Sequence, residues 1–181
     1  NEELPDLAAS AYVRAMAKDQ KGDPQRALRA AKAMAARSAH AECERLLTAI
    51  GTHYAAKLDE TAKKEILKLQ ARLAVARGSG EEEAKILEQV VALDPLDGEA
   101  LLLLGQWCAR SGKPEQAVLH YERAAGLPAF EADAKVRHAQ LLVGQGKYAE
   151  AVPLLKRAQQ LKPRDHVQQY LEQVERSVTG K

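Results

Sequence analysis

A chain of 181 residues with 46% hydrophobic and 29% charged side chains is long enough to bury a core and too apolar to stay disordered. Aromatics at 4%, against abundant Ala and Leu, disfavour β-rich folds and favour closely packed helices, so the class expected is all-α. A net charge of +2 gives no general pull towards nucleic acid or an anionic membrane, and the longest apolar run, Ala100 to Leu104, is far short of the roughly 20 residues of a membrane-spanning helix.

The chain starts at Asn1 rather than Met, so an upstream segment is expected to have been cleaved or left out, and the compartment stays open. The first helices are expected near 5–20 and 24–37. Asp23 offers an N-cap and Pro24 a first-turn proline, and Ala15, Gly22, Ala27 and Met34 set a spacing that recurs downstream. Together 5–37 reads as a degenerate N-terminal repeat.

From 38 to 59 there is room for a single helix, which upsets a strict alternation of first and second helices. Either 24–57 is one long helix or Ser38 to His40 breaks it. At about 100° per residue the stripe Ala27, Leu28, Ala31, Met34 points about 115° away from Cys43, Leu46, Ile50, Tyr54. One straight helix would present two faces, so a break followed by an irregular extra helix over 38–59 is the expectation.

Residues 60–95 read as a divergent repeat: Leu67, Ala71 and Ala74, then Gly78, then a helix from Glu81 with Ala84 one place off register and the exit Leu93-Asp94-Pro95. Two full units follow, 98–131 and 132–165. Gly112 and Gly146 stand 34 residues apart, as do Ala117 and Ala151, and Ala124 and Ala158. In the first unit Leu101, Leu104, Gly105 and Cys108 form one stripe and Ser111-Gly112-Lys113-Pro114 ends the helix. Ala117, Val118, Tyr121, Ala124 and Leu127 form the next stripe. The second unit repeats this with Ala139, Leu142, Gly146, Tyr148, Ala151, Leu155, Ala158, Leu161 and Pro163. Small residues at Gly105, Ala117, Ala124, Ala139, Ala151 and Ala158 let helix axes approach closely. Pro153, near the start of its helix, predicts a slight bend and one missing backbone bond. The stripe Val167, Tyr170, Leu171, Val174, Val178 with polar residues elsewhere makes 166–179 a terminal capping helix.

This grammar resembles the tetratricopeptide repeat family, whose signature is a small residue in the first helix, Gly at the turn, Ala twice in the second helix and Pro at the exit. The resemblance is strong over 98–163 and weaker upstream. It implies a right-handed α-α superhelix of stacked antiparallel helix pairs with a C-terminal capping helix. It further implies a non-catalytic scaffold whose first helices line a concave face that takes a protein or peptide ligand. On this chain that face would display Lys68 and Arg72, then Glu99, Leu102, Leu103, Gln106 and Arg110, then Asp133, Val136, Arg137 and Gln140. Leu102, Leu103 and Val136 are expected to pack partly as well. The carboxylate clamp that some members use is expected to be absent, since Leu103 stands where an Asn, and Asp133 where a Lys, would be required.

Other chemistry meets simpler readings. His40-Ala41-Glu42-Cys43 has the His-x-Glu of zinc deaminases but no Pro-Cys-x-x-Cys follows, and no second close-spaced ligand pair completes a metal site. No constellation suits an enzyme, and no cofactor is expected: the loops are short turns, and Gly144-Gln145-Gly146 is a helix-ending turn rather than a phosphate cradle. His53, His120, His138 and His166 read as partly exposed helix residues. Cys43 and Cys108 read as buried small hydrophobes rather than a disulfide. A basic cluster, Arg14, Lys18, Lys21, Arg26, Arg29, Lys32 and Arg37, opposed by Asp19 and Asp23, supports an alternative regulatory or nucleic-acid-contacting role. The commoner meaning of such a cluster is solvated charge, and the lack of aromatics weighs against base stacking. Self-association through the groove is a further alternative.

Overall fold

The computed structural model describes residues 3–18, 22–78 and 80–180 and is all-α. Among the described residues it comprises α1 (Glu3–Lys18), α2 (Pro24–Ala36), α3 (His40–Tyr54), a 3-10 turn (Ala55–Lys57), α4 (Glu60–Arg77), α5 (Glu81–Leu93), α6 (Gly98–Arg110), α7 (Pro114–Ala125), α8 (Glu131–Gly144), α9 (Tyr148–Leu161) and α10 (Asp165–Thr179). They fall into two compact units divided between Gln89 and Val90, within α5.

In the second unit α6 packs on α7, α7 on α8, α8 on α9 and α9 on α10, with α6 also touching α8. The turns explain why neighbours are antiparallel. Gly112 takes φ 71° and the Lys113 amide donates to the Cys108 carbonyl at 2.9 Å. One repeat later Gly146 takes φ 74° and the Lys147 amide donates to the Leu142 carbonyl, also at 2.9 Å. A left-handed residue there closes the helix on its own last carbonyls and sends the chain straight back. Asp97 starts α6 by accepting from the Ala100 amide at 3.0 Å, and Pro114 pre-sets the first turn of α7.

The small residues do what close approach requires. Ala117, Ala124, Ala139, Ala151 and Ala158 are all 0% exposed. A methyl placed on Gly105 would lie 2.6 Å from Cε1 of Tyr121, and one on Gly98 would collide with the edge of the Phe130 ring. Leu155, Val167, Leu171 and Val174 bury the α9–α10 contact, so α10 caps with its apolar stripe inward and Gln168, Gln169, Glu172 and Gln173 outward. Exposed Pro153 sits inside α9, and the helix continues through it to Leu161.

The first unit is built around α3, which packs on α1, α2 and α4. Leu28, Leu46, Leu47 and Ile50 are fully buried there, each contributing about 2 kcal/mol of apolar burial. The chain breaks between α2 and α3 through a turn of the same kind as those at Gly112 and Gly146. Ser38 takes φ 60°, and the Ala39 amide donates to the Met34 carbonyl at 3.0 Å. The pairing that follows differs from the one the spacing suggested. By turn geometry α2 and α3 form a helix hairpin, α3 is the heart of the first unit rather than an interpolated element, and α1 stands alone before it. In α5, Glu83 holds the register position 34 before Ala117 and is buried at 1% exposure, with Ala84 buried beside it.

Candidate interaction surface

In the second unit, Glu99, Leu103, Gln106 and Arg110 follow one another at i, i+4, i+7 and i+11 on α6, which places them on one helix face. Glu99, Leu103 and Gln106 are partly exposed and Arg110 is exposed. Gly98, Leu101, Leu104, Gly105 and Cys108 occupy the opposite, buried side. Leu102 belongs to that core: it is 9% exposed and packs with Leu101, Tyr121 and Ala134, so Leu103 is the leucine available to a ligand. On α8, Val136 and Arg137 are half-buried and Gln140 is exposed, with Val136 packed against the α9–α10 core.

Asp133 is committed internally. Arg164, leading into α10, donates to its carboxylate at 2.7 Å, and Lys162 approaches at 3.9 Å. Its negative charge therefore faces two cations of its own chain. Glu131 similarly receives Arg157 at 3.0 Å.

Tyr121 of α7 feels charge from both helices. The phenol is buried against α6, and burial pushes it above its ordinary range, while Arg137 from α8 and Arg110 from α6 both pull it down. His138 stands beside the same ring, centroids 6.5 Å apart; its burial holds it below the usual imidazole range. Spacing alone marked Arg110 and Arg137 as surface residues. Their common influence on Tyr121 depends on α6, α7 and α8 packing together, which no local pattern encodes.

Lys68, half-buried, and Arg72, exposed, lie one turn apart on α4 in the first unit. The basic residues upstream are dispersed rather than gathered. Lys32 pairs with Glu65 at 2.8 Å, Arg29 approaches Asp23 at 3.8 Å, and Arg14, Lys18, Arg26 and Arg37 are exposed; Lys21 lies outside the described residues. Among the described residues no group of three metal-ligating side chains comes together, and no helix is long and apolar enough to cross a membrane. Cys43 and Cys108 are free and buried, and burial pushes the Cys43 thiol up to about 11.

Antiparallel helix pairs with one turn geometry, repeated at 34 residues and sealed by alanines, define a helical-repeat protein. The chain belongs to the tetratricopeptide repeat family: family models described as tetratricopeptide repeat match residues 68–135 and 132–165. That repeat is a generally non-catalytic protein-interaction module, and the chain is an interaction scaffold at that level. No curated protein matches it by sequence. Among solved structures it is similar to MamA, at TM-score 0.71 and 19% identity, covering 87% of this chain and 88% of that one. It is also similar to YrrB, described as a TPR protein with an unusual peptide-binding site, at TM-score 0.73 and 14% identity over 93% and 84% of the two chains. A thermophilic TPR protein in Thermus thermophilus matches at TM-score 0.56 and 17% identity, over 94% and 90%. These likenesses show the fold.

Proposed function

We propose that the second unit holds an extended segment of a partner protein across α6 and α8, and that the segment carries an acidic side chain received between Arg110 and Arg137. The observation that carries this reading is the packing of α6 against α8, with Arg110 exposed on one helix and Arg137 half-buried on the other. Leu103 and Val136 supply apolar contact on either side, and Gln106 and Gln140 can hydrogen-bond the ligand's backbone. Rigid repeats leave most of the ordering cost with the ligand. YrrB's peptide-binding site supports a peptide as the ligand class for this fold. In the first unit, Lys68 and Arg72 are proposed as contacts of the same kind.

The test is selection from a library of random extended peptides on the intact chain. Enrichment of Asp or Glu at one position, with affinity falling at least tenfold in Arg137→Glu and in Leu103→Glu, is expected. Selected peptides that bind both variants as well as the parent would overturn the reading. Single-stranded RNA binding that collapses steeply with salt would instead favour the basic N-terminal helices.

A further inference from the structure

Asp133 and Arg137 stand at i and i+4 on α8, the spacing at which an acid and a base on one helix ordinarily pair. Here the acid is drawn the other way. Arg164 Nη1 donates to Oδ1 of Asp133 at 2.7 Å, and Nζ of Lys162 approaches Oδ2 at 3.9 Å, so both carboxylate oxygens are turned to the link between α9 and α10. Glu131, the other acid in the first turn of α8, is held likewise, by Arg157 of α9 at 3.0 Å, with Lys135 at 3.9 Å.

The link holds that guanidinium in place. The Arg164 amide donates to Oε1 of Gln159 at 3.0 Å, and its carbonyl accepts from the Val167 and Gln168 amides, both at 3.0 Å, where α10 starts. The backbone is therefore fixed on both sides of the side chain. That side chain is 23% exposed, and its Nε and Nη2 are buried with no hydrogen-bond partner among the described residues. Asp133 is the carboxylate that balances this largely buried cation. The repeat register shows that the residue is special and the backbone is not. One repeat earlier the place of Arg164 is taken by Phe130, whose ring lies on Gly98 at the start of α6, and the place of Asp133 by Glu99. The residue leading into each helix thus covers the start of the helix two before it. It is an aromatic ring on a glycine in one repeat, and a cation on an acid in the next.

We infer that Arg164 is a positioning residue for the α6–α8 face: by holding Asp133 it keeps that carboxylate off Arg137 and leaves the arginine to an acidic side chain of the ligand. The inference rests on the reading of that face as a peptide site. The competition has a definite direction. A pair at i and i+4 on a helix surface is weak, whereas releasing Asp133 strands the buried Arg164 guanidinium, so Asp133 stays with Arg164. Without Arg164, Lys162 at 62% exposure is a weak competitor, and Arg137 one turn along α8 becomes the partner of Asp133.

The first test needs no ligand. Phenylglyoxal modifies guanidinium groups, and mass spectrometry of digests follows Arg137 on its own in the intact chain. Its rate of modification should fall about threefold in Arg164→Met, stay at the parental value in Arg164→Lys, and recover in the double variant Asp133→Asn with Arg164→Met. Circular dichroism and urea titration establish that the variants remain folded. A parental rate in Arg164→Met overturns the inference. So does a low rate that persists in the double variant, because Asp133 is then not its cause. The second test takes the strongest-binding acidic peptide selected on the intact chain, with a copy in which its Asp or Glu is replaced by Asn or Gln. Arg164→Met should weaken the acidic peptide about tenfold and the amide copy less than about twofold, and the double variant should recover the acidic peptide. Equal weakening of both peptides overturns the inference, since a merely structural role acts on both alike. Failure of the face reading looks different: the acidic peptide then binds Arg137→Glu as well as the parent, and the ligand assigned to Arg137 falls with it whichever way the phenylglyoxal rates turn out.

Discussion

Two glycines in helix interiors predict opposite outcomes from one substitution. Gly51 lies in α3 with nothing within 4 Å of where a Cβ would stand, so Gly51→Ala should gain the intrinsic helix preference of alanine, about 0.5–1 kcal/mol. Gly105→Ala should gain the same preference but place its methyl 2.6 Å and 2.8 Å from two carbons of the Tyr121 ring. Normal carbon contact begins near 3.5 Å, so the ring must retreat by about 1 Å. It is 3% exposed and has His138 beside it, which leaves little room. Overpacking of this kind costs about 1–3 kcal/mol, so the net effect is a loss of about 1 kcal/mol. Urea titration read by Trp107 fluorescence reports the second unit, which contains Trp107, and far-UV circular dichroism reports Gly51→Ala. Combining Gly105→Ala with Tyr121→Leu should cost less than the sum of the single changes, because the ring that collides has gone. A raised midpoint for Gly105→Ala alone would refute the packing account of the small-residue position.

Ser38 holds φ 60° in the turn that Gly112 and Gly146 make elsewhere, so Ser38→Gly should raise the unfolding free energy read from urea titration by up to about 1 kcal/mol, and Gly146→Ala should lower it by about 1 kcal/mol. His138 is held below its ordinary value of 6.5, first by burial; Glu122 and Glu150 oppose this and Lys135 reinforces it. The unfolded chain therefore takes up this proton first, and the contribution to stability is complete above about pH 6.5 and is lost as pH falls through the lower folded value. Urea midpoints measured from pH 7.5 to 5 should fall less steeply in His138→Gln. With its thiol buried and pushed up to about 11, Cys43 should react with a disulfide reagent at pH 8 far more slowly than after unfolding in urea; equal rates would contradict its burial.

The second unit was nearly transparent in the sequence because its rules are local. A glycine that must take positive φ, a proline in the first turn, and alanines where helices cross all leave a mark at fixed spacing. The first unit obeys the same geometry with different residues, and so it hid. Ser38 makes the left-handed turn without a glycine: the diverging apolar stripes signal the break at Ser38 to His40, which the structure bears out, but not that α2 and α3 form a hairpin. Asp23-Pro24 and Gly22 did signal punctuation, but it opens α2 rather than joining α1 to α2 as a pair. The buried triplet in α3 reads Cys43, Leu47, Ile50 where an alanine-bearing pattern was the guide, and larger side chains there fill the same place.

The interaction face was legible to the extent that helical spacing alone decides exposure. Glu99, Leu103, Gln106 and Arg110 share a face by arithmetic, but four consecutive leucines from Leu101 to Leu104 cannot reveal which one is free; packing against Tyr121 and Ala134 assigns Leu102 to the core. Asp133 looked available because its partner Arg164 lies 31 residues away. That long-range pair holds the acidic residue of the face within the chain, with Lys162 approaching the same carboxylate. On the proposed reading, reversing Arg137 should remove a charge that a ligand would meet, whereas reversing the Asp133–Arg164 pair should alter ligand choice only indirectly.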